Sequence, residues 1–181
     1  GASGSLGTAA VQIARHLGAH VTGVCSTRNV ELVRSLGADD VVDYMQEDFT
    51  DGSRTFDVVL AIGGMTPVER LRRALSRTGT LIIVGGEGGA RWSPGLGRQM
   101  HATLLSPFVP QRLAMVMNKE HYSGLDRLAA LAAEGQLVSH LDQPYALAET
   151  RDAVRHVAAG KALGKVVVTV TLENPSRRRH E

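Results

Sequence analysis

The sequence predicts an α/β fold with a doubly wound parallel sheet. A glycine-rich turn over residues 1–7 (GASGSLG) opens the chain and leads into an amphipathic helical pattern. Short apolar strands then alternate with helices, which is typical of a parallel sheet with right-handed crossovers. Because aromatic residues make up only 4% of the 181 residues, we expect a core built from Val, Leu, Ile and Ala.

The first half of the chain follows this alternation closely. Its patterns predict a helix over 8–17, a strand over 20–25, a helix over 30–36 with Asn29 as N-cap, strands over 41–44 and 56–62, a helix over 67–76 and a strand over 80–84. The apolar run 56–62 predicts a strand that is buried on both faces.

The second half is less regular. Its patterns predict helices over 96–101, 110–117, 123–134 and 148–159, strands over 103–106 and 166–170, and an extended segment over 138–145. We expect residues 1–170 to form one nucleotide-binding domain with a C-terminal return segment. Residues 171–181 are expected to be a disordered tail.

Composition argues against several classes of protein. The net charge is +2, a basic run (RRRH) stands in the tail at 177–180, and no basic face appears in the body of the chain, so we expect no nucleic-acid partner. Cys25 is the only cysteine, which excludes an intrachain disulfide and a cysteine zinc cluster, and we expect it to be a core thiol. No apolar run reaches the roughly 18 residues of a membrane helix. The expected compartment is the cytoplasm.

The opening turn has the features of a phosphate-binding loop. Glycines at positions 1, 4 and 7 let the backbone approach a pyrophosphate closely, and the helix N-terminus that follows offers N–H groups and partial positive charge. Ser3 and Ser5 could add hydroxyl donors. Ala2 occupies the first glycine position of the strict G-x-G-x-x-G pattern, so a plain tight turn is the alternative.

The end of the strand over 20–25 bears on the choice of nucleotide. An NAD site usually has Asp or Glu there to bind the ribose 2′-hydroxyl. This chain instead has Ser26, Thr27 and Arg28, which are donors suited to a 2′-phosphate. The sequence therefore favours NADPH over NADH, the alternative being that Arg28 is a solvated loop cation.

Several stretches carry a family resemblance that extends to about residue 170. They are 1–14 (GASGSLGTAAVQIA), 35–39 (SLGAD), 42–44 (VDY), 79–81 (GTL), 84–89 (VGGEGG), 106–109 (SPFV) and 164–167 (GKVV). With these, the chain resembles the cofactor domain of medium-chain dehydrogenase/reductases. It is most similar to their NADPH-dependent quinone oxidoreductase-like branch, of the zinc-binding dehydrogenase type.

The resemblance implies a Rossmann-like domain with specific residue roles. The pyrophosphate would be lined by Ser3, Gly4, Ser5 and Leu6. The adenosine ribose and its phosphate would lie near Ser26 and Tyr44. The path to the nicotinamide would be lined by Ile62, Gly63, Val84, Gly85 and Gly86, and the nicotinamide would be flanked by Phe108 and Val109. The alternatives are that Tyr44 packs on the sheet and that Phe108 is a core aromatic. Lys165 is expected to be a solvated lysine.

The chain departs from the family pattern at its start. An N-terminal domain carrying most of the substrate pocket, and the first Rossmann strand, would precede Gly1, so the fold is expected to lack its first strand. That strand would lie between those at 21 and 56, and its absence would open a slot in the sheet. The stretch 60–64 is also one residue shorter than in the family and lacks its usual Asp.

The resemblance implies hydride transfer to an enone, a quinone or an aldehyde as small-molecule substrate. The sequence shows no convincing acid–base pair or metal-ligand spacing, so the catalytic residues are unknown and zinc is not supported by this segment. One alternative is a nucleotide-binding module without catalytic activity. Another is a methyltransferase, which usually has an acidic residue at the end of the second strand to bind the ribose hydroxyls. This chain has no acidic residue there. A second copy of this chain is the candidate protein partner, and residues 103–106 are the candidate sheet edge for such a homodimer.

Overall fold

The computed structural model describes residues 1–84, 96–115 and 122–170. The strands in these ranges are β1 (Thr22–Cys25), β2 (Asp40–Asp43), β3 (Phe56–Ala61), β4 (Leu75–Ile83), β5 (Arg112–Met115), β6 (Leu141–Ala146) and β7 (Lys165–Thr169). The helices are α1 (Ser5–His16), α2 (Val30–Ser35), α3 (Val68–Arg73), α4 (Leu96–Leu105), α5 (Tyr122–Ala133) and α6 (Thr150–Ala158), with short 3₁₀ turns at Thr27–Asn29, Ser106–Phe108 and Leu147–Glu149. No helix in these ranges is long and apolar enough to cross a membrane.

Every strand pairing in the described ranges is parallel, which confirms the predicted α/β class. The strands form three groups, β1–β2, β3–β4–β5 and β6–β7. β1 and β3 are not paired with each other, and the first residues of the chain lie between their carboxyl ends. The amino group of Gly1 and the N–H of Ala2 each donate to the Val24 carbonyl at 3.0 Å. On the other side, a Cβ placed on Gly1 would lie 3.0 Å from the Gly63 nitrogen. The parallel order in the described ranges is therefore interrupted between β1 and β3, at the place where the sequence predicts a slot in the sheet.

Two apolar clusters hold the described elements together. One joins α1, β1 and α2 and consists of Ala2, Val11, Cys25, Val33 and Ala38. The other joins α3, β4, α4 and β5 and consists of Val68, Leu71, Leu75, Leu81, Ile83, Ala102 and Leu113. The expected aliphatic core is therefore confirmed, and burial raises the pKa of the Cys25 thiol.

The C-terminal return segment docks onto the opening turn. The Gly164 N–H donates to the Ser3 carbonyl at 2.9 Å, and Gly164 forms a parallel bridge with Gly4. Gly164 has φ of +68°, and a Cβ there would lie 2.3 Å from the His140 carbonyl oxygen. Only glycine fits at this position, and β7 is thereby held against the start of α1.

Two predictions in the second half are wrong. Residues 103–106 are not a strand, because α4 continues to Leu105 and Ser106 begins a 3₁₀ turn. Ala102 and Leu105 both pack on the same core cluster, and a spacing of three is helical. Residues 112–115 are a strand rather than a helix, because they pair with β4 from Thr80 to Ile83. Short apolar runs do not by themselves distinguish the two structures.

Two predictions in the first half need correction. β3 is buried on one face only, since Val58 is 59% exposed and Leu60 is 40% exposed, while Val59 and Ala61 pack toward the α3–α4 cluster. The helix over 67–76 is shorter than predicted, because the chain joins β4 at Leu75, opposite Phe56. In both cases long-range packing, rather than the local pattern, decides the outcome.

Candidate cofactor-binding site

The opening turn leads directly into α1. The Gly4 N–H donates to the Gly1 carbonyl at 3.3 Å, and the Thr8 N–H donates to the Gly4 carbonyl at 2.9 Å. Gly4 is the N-cap of α1, and no side chain caps this end of the helix. The first turn of an α-helix has N–H groups without intrahelical partners, so an uncapped N-terminus favours an anion.

Glycine is needed at two positions of this turn for different reasons. A Cβ on Gly7 would lie 2.0 Å from the Gly1 carbonyl oxygen, so the helix can approach the preceding backbone only without a side chain. A Cβ on Gly4 would find its nearest neighbour, the same oxygen, at 3.7 Å. The space above Gly4 is therefore available to a ligand, whereas the space at Gly7 is filled by the protein.

Lys165 brings a positive charge to this helix end, in addition to being solvent-exposed as predicted. Its side chain is exposed, but Nζ donates to Ser5 Oγ at 2.9 Å and to the Ser5 carbonyl at 3.0 Å. A cation at a helix N-terminus is electrostatically unfavourable by itself, because the helix dipole is positive there. An anion bound here would interact favourably both with the Lys165 ammonium and with the partial positive charge of the helix N-terminus.

Asn29 does not cap α2 through its side chain, contrary to the sequence expectation. Its Nδ2 donates to Ser3 Oγ at 2.8 Å and so joins the end of β1 to the glycine turn. Asn is a favoured N-cap residue, so the local pattern suggested the wrong partner. Neither Lys165 nor Asn29 was recognised from sequence as a site residue, because each acts across a large separation in the chain.

The residues after β1 lie in a short 3₁₀ turn. Thr27 Oγ1 donates to Asp43 Oδ2 at 2.6 Å, so this hydroxyl proton is already engaged and the oxygen can only accept further bonds. Ser26 is half-buried and Arg28 is exposed. Neither of these two side chains forms a hydrogen bond or ion pair within the described part of the chain, which leaves Arg28 available to an anion.

Asp43 supplies a carboxylate that the sequence reasoning did not place here. It stands at the end of β2, opposite Cys25 in the parallel register, and is only 7% exposed. Besides Thr27, it accepts from the Met45 N–H at 3.0 Å and from Gln46 Nε2 at 2.7 Å. These donors, the Thr27 hydroxyl first, lower the pKa of Asp43, so it is ionised at neutral pH.

This pKa shift predicts a specific acid sensitivity. Because the folded pKa is lowered, Asp43 stabilises the fold fully above the ordinary aspartate pKa of about 3.9, and this contribution is lost as pH falls through the folded value. We expect Asp43→Asn to lower the melting temperature at neutral pH, with a difference from wild type that shrinks below about pH 4. Thermal melts over a pH series check this; a constant difference would contradict it.

The residues expected near the ribose and the nicotinamide are mostly accessible. Tyr44 is 57% exposed and Phe108 is 84% exposed, so neither is a packed core aromatic. Ile62 is half-buried and Gly63 is exposed beside Gly1, while the Val84 N–H donates to the Ala61 carbonyl at 2.9 Å. Val109 packs on the α3–α4 cluster. Gly85 and Gly86 lie outside the described residues.

The fit of a metal can be tested on the same part of the chain. Within residues 1–84, 96–115 and 122–170, no three His, Cys, Asp or Glu side chains come together in a way that could hold a metal ion. His156 Nε2 and Asp142 Oδ2 are 2.6 Å apart, but this pair joins α6 to β6. We therefore derive no zinc chemistry from this chain.

Comparison with known proteins identifies the family. Residues 36–168 match the model of the zinc-binding dehydrogenase family. The chain therefore belongs to this family of the medium-chain dehydrogenase/reductases, as the sequence predicted. Membership also excludes the methyltransferase alternative.

The relatives agree with this assignment. The chain is 30% identical over 171 residues to a chloroplast envelope quinone oxidoreductase homolog from Arabidopsis thaliana, covering 92% of this chain and 50% of that protein. It is 32% identical over 187 residues to a mitochondrial NAD(P)H oxidoreductase from Mus musculus, covering 94% and 46%. It thus spans about half the length of the relatives that it matches.

A solved structure supports the fold. The quinone oxidoreductase from Escherichia coli, complexed with NADPH, superposes with a TM-score of 0.74 at 20% sequence identity, covering 93% of this chain and 55% of that one. At this identity the likeness concerns the fold alone.

Proposed function

We propose that this chain is the cofactor-binding part of an NADPH-dependent oxidoreductase that transfers hydride to an enone, a quinone or an aldehyde. The observation that carries the proposal is the uncapped N-terminus of α1 behind the glycine turn, with the Lys165 ammonium bonded to Ser5 in its first turn. Helix N-terminus and lysine together form an electropositive cradle for a pyrophosphate.

The residues around the turn have distinct roles in this proposal. Gly4 leaves room for a phosphate, and the Ser3 and Ser5 hydroxyls donate to its oxygens beside Leu6. Tyr44 is exposed at the end of β2, on the side of the adenosine ribose. Ile62, Gly63 and Val84, which Gly85 and Gly86 follow in the sequence, are assigned to the nicotinamide side, and Phe108 and Val109 are assigned to its flanks.

NADPH rather than NADH is proposed from the balance of charges after β1. Arg28 is exposed and unengaged within the described ranges, whereas the carboxylate of Asp43 already accepts bonds from Thr27, Met45 and Gln46. The exposed arginine can form charge-assisted hydrogen bonds to a 2′-phosphate, whereas the ionised Asp43 carboxylate already accepts its hydrogen bonds from the protein. The proposal is compatible with two relatives: the mouse protein is named an NAD(P)H oxidoreductase, and the E. coli quinone oxidoreductase was solved in complex with NADPH.

When bound, the nicotinamide supplies the hydride, and the protein binds and orients it. Catalytic residues and substrate contacts are not part of the proposal. A nucleotide-binding module without activity of its own remains the second candidate, because the chain spans about half of its relatives. We also propose that the substrate is a small molecule of the enone, quinone or aldehyde type.

The oligomeric state and the cellular compartment are also part of the proposal. If the protein forms a homodimer through a sheet edge, β5 replaces residues 103–106 as the candidate, since it ends the order β3–β4–β5. The cytoplasmic location stays a prediction, and the names of the two relatives above place those proteins in the chloroplast and the mitochondrion.

Calorimetric titration of the full polypeptide with NADPH, and with NADH as comparator, tests the proposal. We expect saturable binding of NADPH, with NADH bound more weakly. Equal affinities would remove the NADPH preference. Absence of binding by both nucleotides would overturn the proposed function.

Lys165→Met is expected to weaken binding of NADPH and NADH by a similar factor, because both contain the pyrophosphate. Loss of a hydrogen bond to a charged group at an exposed site corresponds to about a five- to tenfold higher Kd. Lys161→Met is the matched control, because Lys161 is exposed in the same segment and its ammonium forms no hydrogen bond within the described residues. Equal effects of the two substitutions would argue against a specific role of Lys165.

A further inference from the structure

Asn29 contains a buried polar atom that the fold leaves unpaired. The residue is only 5% exposed, and its Nδ2 donates to Ser3 Oγ at 2.8 Å. Its Oδ1 is buried and has no hydrogen-bond partner among the residues that the structure describes. A buried acceptor without a partner destabilises a protein, so its retention calls for a reason outside the folding of the chain itself.

The position of this amide suggests the reason. Asn29 ends the 3₁₀ turn that follows β1, and Ser3 belongs to the glycine turn, so the amide joins the two segments proposed to hold the dinucleotide. Dinucleotide folds usually place an acidic acceptor after this strand to bind a ribose hydroxyl. Residues 25–29 contain no acid. The nearby carboxylate of Asp43 is occupied by donors from the protein.

We propose that Asn29 is the ribose acceptor of this chain: its Oδ1 accepts a hydrogen bond from the 3′-hydroxyl of the adenosine ribose, while its Nδ2 holds the Ser3 hydroxyl at the pyrophosphate. This inference rests on the proposed function. The 3′-hydroxyl is the one that NADH and NADPH share, and it remains a hydroxyl when the 2′ position carries the phosphate assigned to Arg28. A reversed amide would present a donor and would favour a phosphate instead.

The decisive experiment compares two ligands that differ in this hydroxyl alone. NADH and its 3′-deoxyadenosine analogue are titrated calorimetrically into the wild-type full polypeptide and into Asn29→Leu, which keeps a similar shape and removes both polar atoms. We expect wild type to bind NADH about tenfold more tightly than the analogue, as one hydrogen bond of about 1.4 kcal/mol implies. The variant should bind both ligands equally. Discrimination between the two ligands that persists in the variant overturns the assignment.

A stability measurement separates this role from a structural one. Without nucleotide, Asn29→Leu should melt within about 4 °C of the wild type, because removal of the unpaired buried acceptor offsets the loss of the hydrogen bond from Nδ2 to Ser3. Gln111→Met is the matched control: this half-buried amide bonds to Arg72 Nε at 2.8 Å and to the Arg72 carbonyl at 3.1 Å. It should melt at a lower temperature and keep the wild-type preference for NADH over the analogue. A lowered melting temperature in Asn29→Leu with unchanged ligand discrimination would mean that Asn29 is structural only.

A crystal structure of the wild-type protein with NADH keeps the proposal testable if Asn29→Leu does not fold. The ribose 3′-oxygen is expected within about 3.2 Å of Asn29 Oδ1, and a hydroxyl well outside that distance overturns the assignment. Wild-type protein that binds neither NADH nor NADPH would overturn the proposed function itself. Binding without discrimination between NADH and the analogue would overturn only the role of Asn29.

Discussion

Gly7→Ala is expected to disrupt the start of the fold. The added Cβ would lie 2.0 Å from the Gly1 carbonyl oxygen and 2.7 Å from the carbonyl carbon of Ala2. These atoms are backbone at the contact between α1 and the turn, so no side chain can move aside. The cost should reach the upper end of overpacking, about 3 kcal/mol or more, and lower the melting temperature by roughly 6–12 °C. Calorimetric or circular-dichroism melts measure this loss, and nucleotide binding should disappear with it.

Gly4→Ala is the matched substitution in the same turn, with a different expected result. Gly4 has φ of −80°, which any residue adopts, and its Cβ would lie 3.7 Å from the nearest atom. The fold should therefore be retained, while the methyl group occupies the space proposed for the pyrophosphate. We expect a near-normal melting temperature with a Kd for NADPH raised at least about tenfold, roughly 1.4 kcal/mol. If both variants melt like wild type and bind NADPH normally, the turn does not hold the cofactor.

Arg28→Glu is expected to change nucleotide preference. It replaces the proposed partner of the 2′-phosphate by a group of the same charge as the phosphate. Loss of a charge-assisted hydrogen bond of about 1.5–3 kcal/mol, with repulsion added, corresponds to a Kd for NADPH raised about 100-fold. NADH lacks the phosphate and should be affected less than about threefold. Parallel titrations with both nucleotides give the ratio directly.

The control for this charge reversal is Arg77→Glu. Arg77 is exposed on β4 before Thr80, where the parallel pairing with β3 becomes regular, and so lies toward the amino end of the strand. The site is at the carboxyl ends, so this variant should bind both nucleotides like wild type. An equal loss of NADPH and NADH affinity in Arg28→Glu would show that Arg28 does not recognise the 2′-phosphate. An NADPH loss in Arg77→Glu would indicate a general effect of net charge.

The local features of the chain could be predicted because their causes are local. Glycine spacing and the apolar stripe after it located α1 and its turn, and short β-branched runs located β1, β2 and β7. The family resemblance followed from the same motifs and was confirmed by the match over residues 36–168. Residues 103–106 and 112–115 were assigned wrongly, because a short apolar run adopts helix or strand according to what it packs against.

The tertiary structure decided how the candidate site is completed. Lys165 reaches Ser5 across 160 residues, Asn29 reaches Ser3 across 26, and Asp43 reaches Thr27 across 16. None of these pairs follows from periodicity or capping preference. Asn29 and Asp43 lie at the carboxyl ends of β1 and β2, which the parallel pairing brings together. Lys165 instead begins β7 and is held at the turn by the backbone bond from Gly164 to Ser3. The sequence by itself determined the family, the fold class and the position of the glycine turn before α1. Only the folded chain determined which charges and amides surround that turn, since their positions depend on strand register and helix packing.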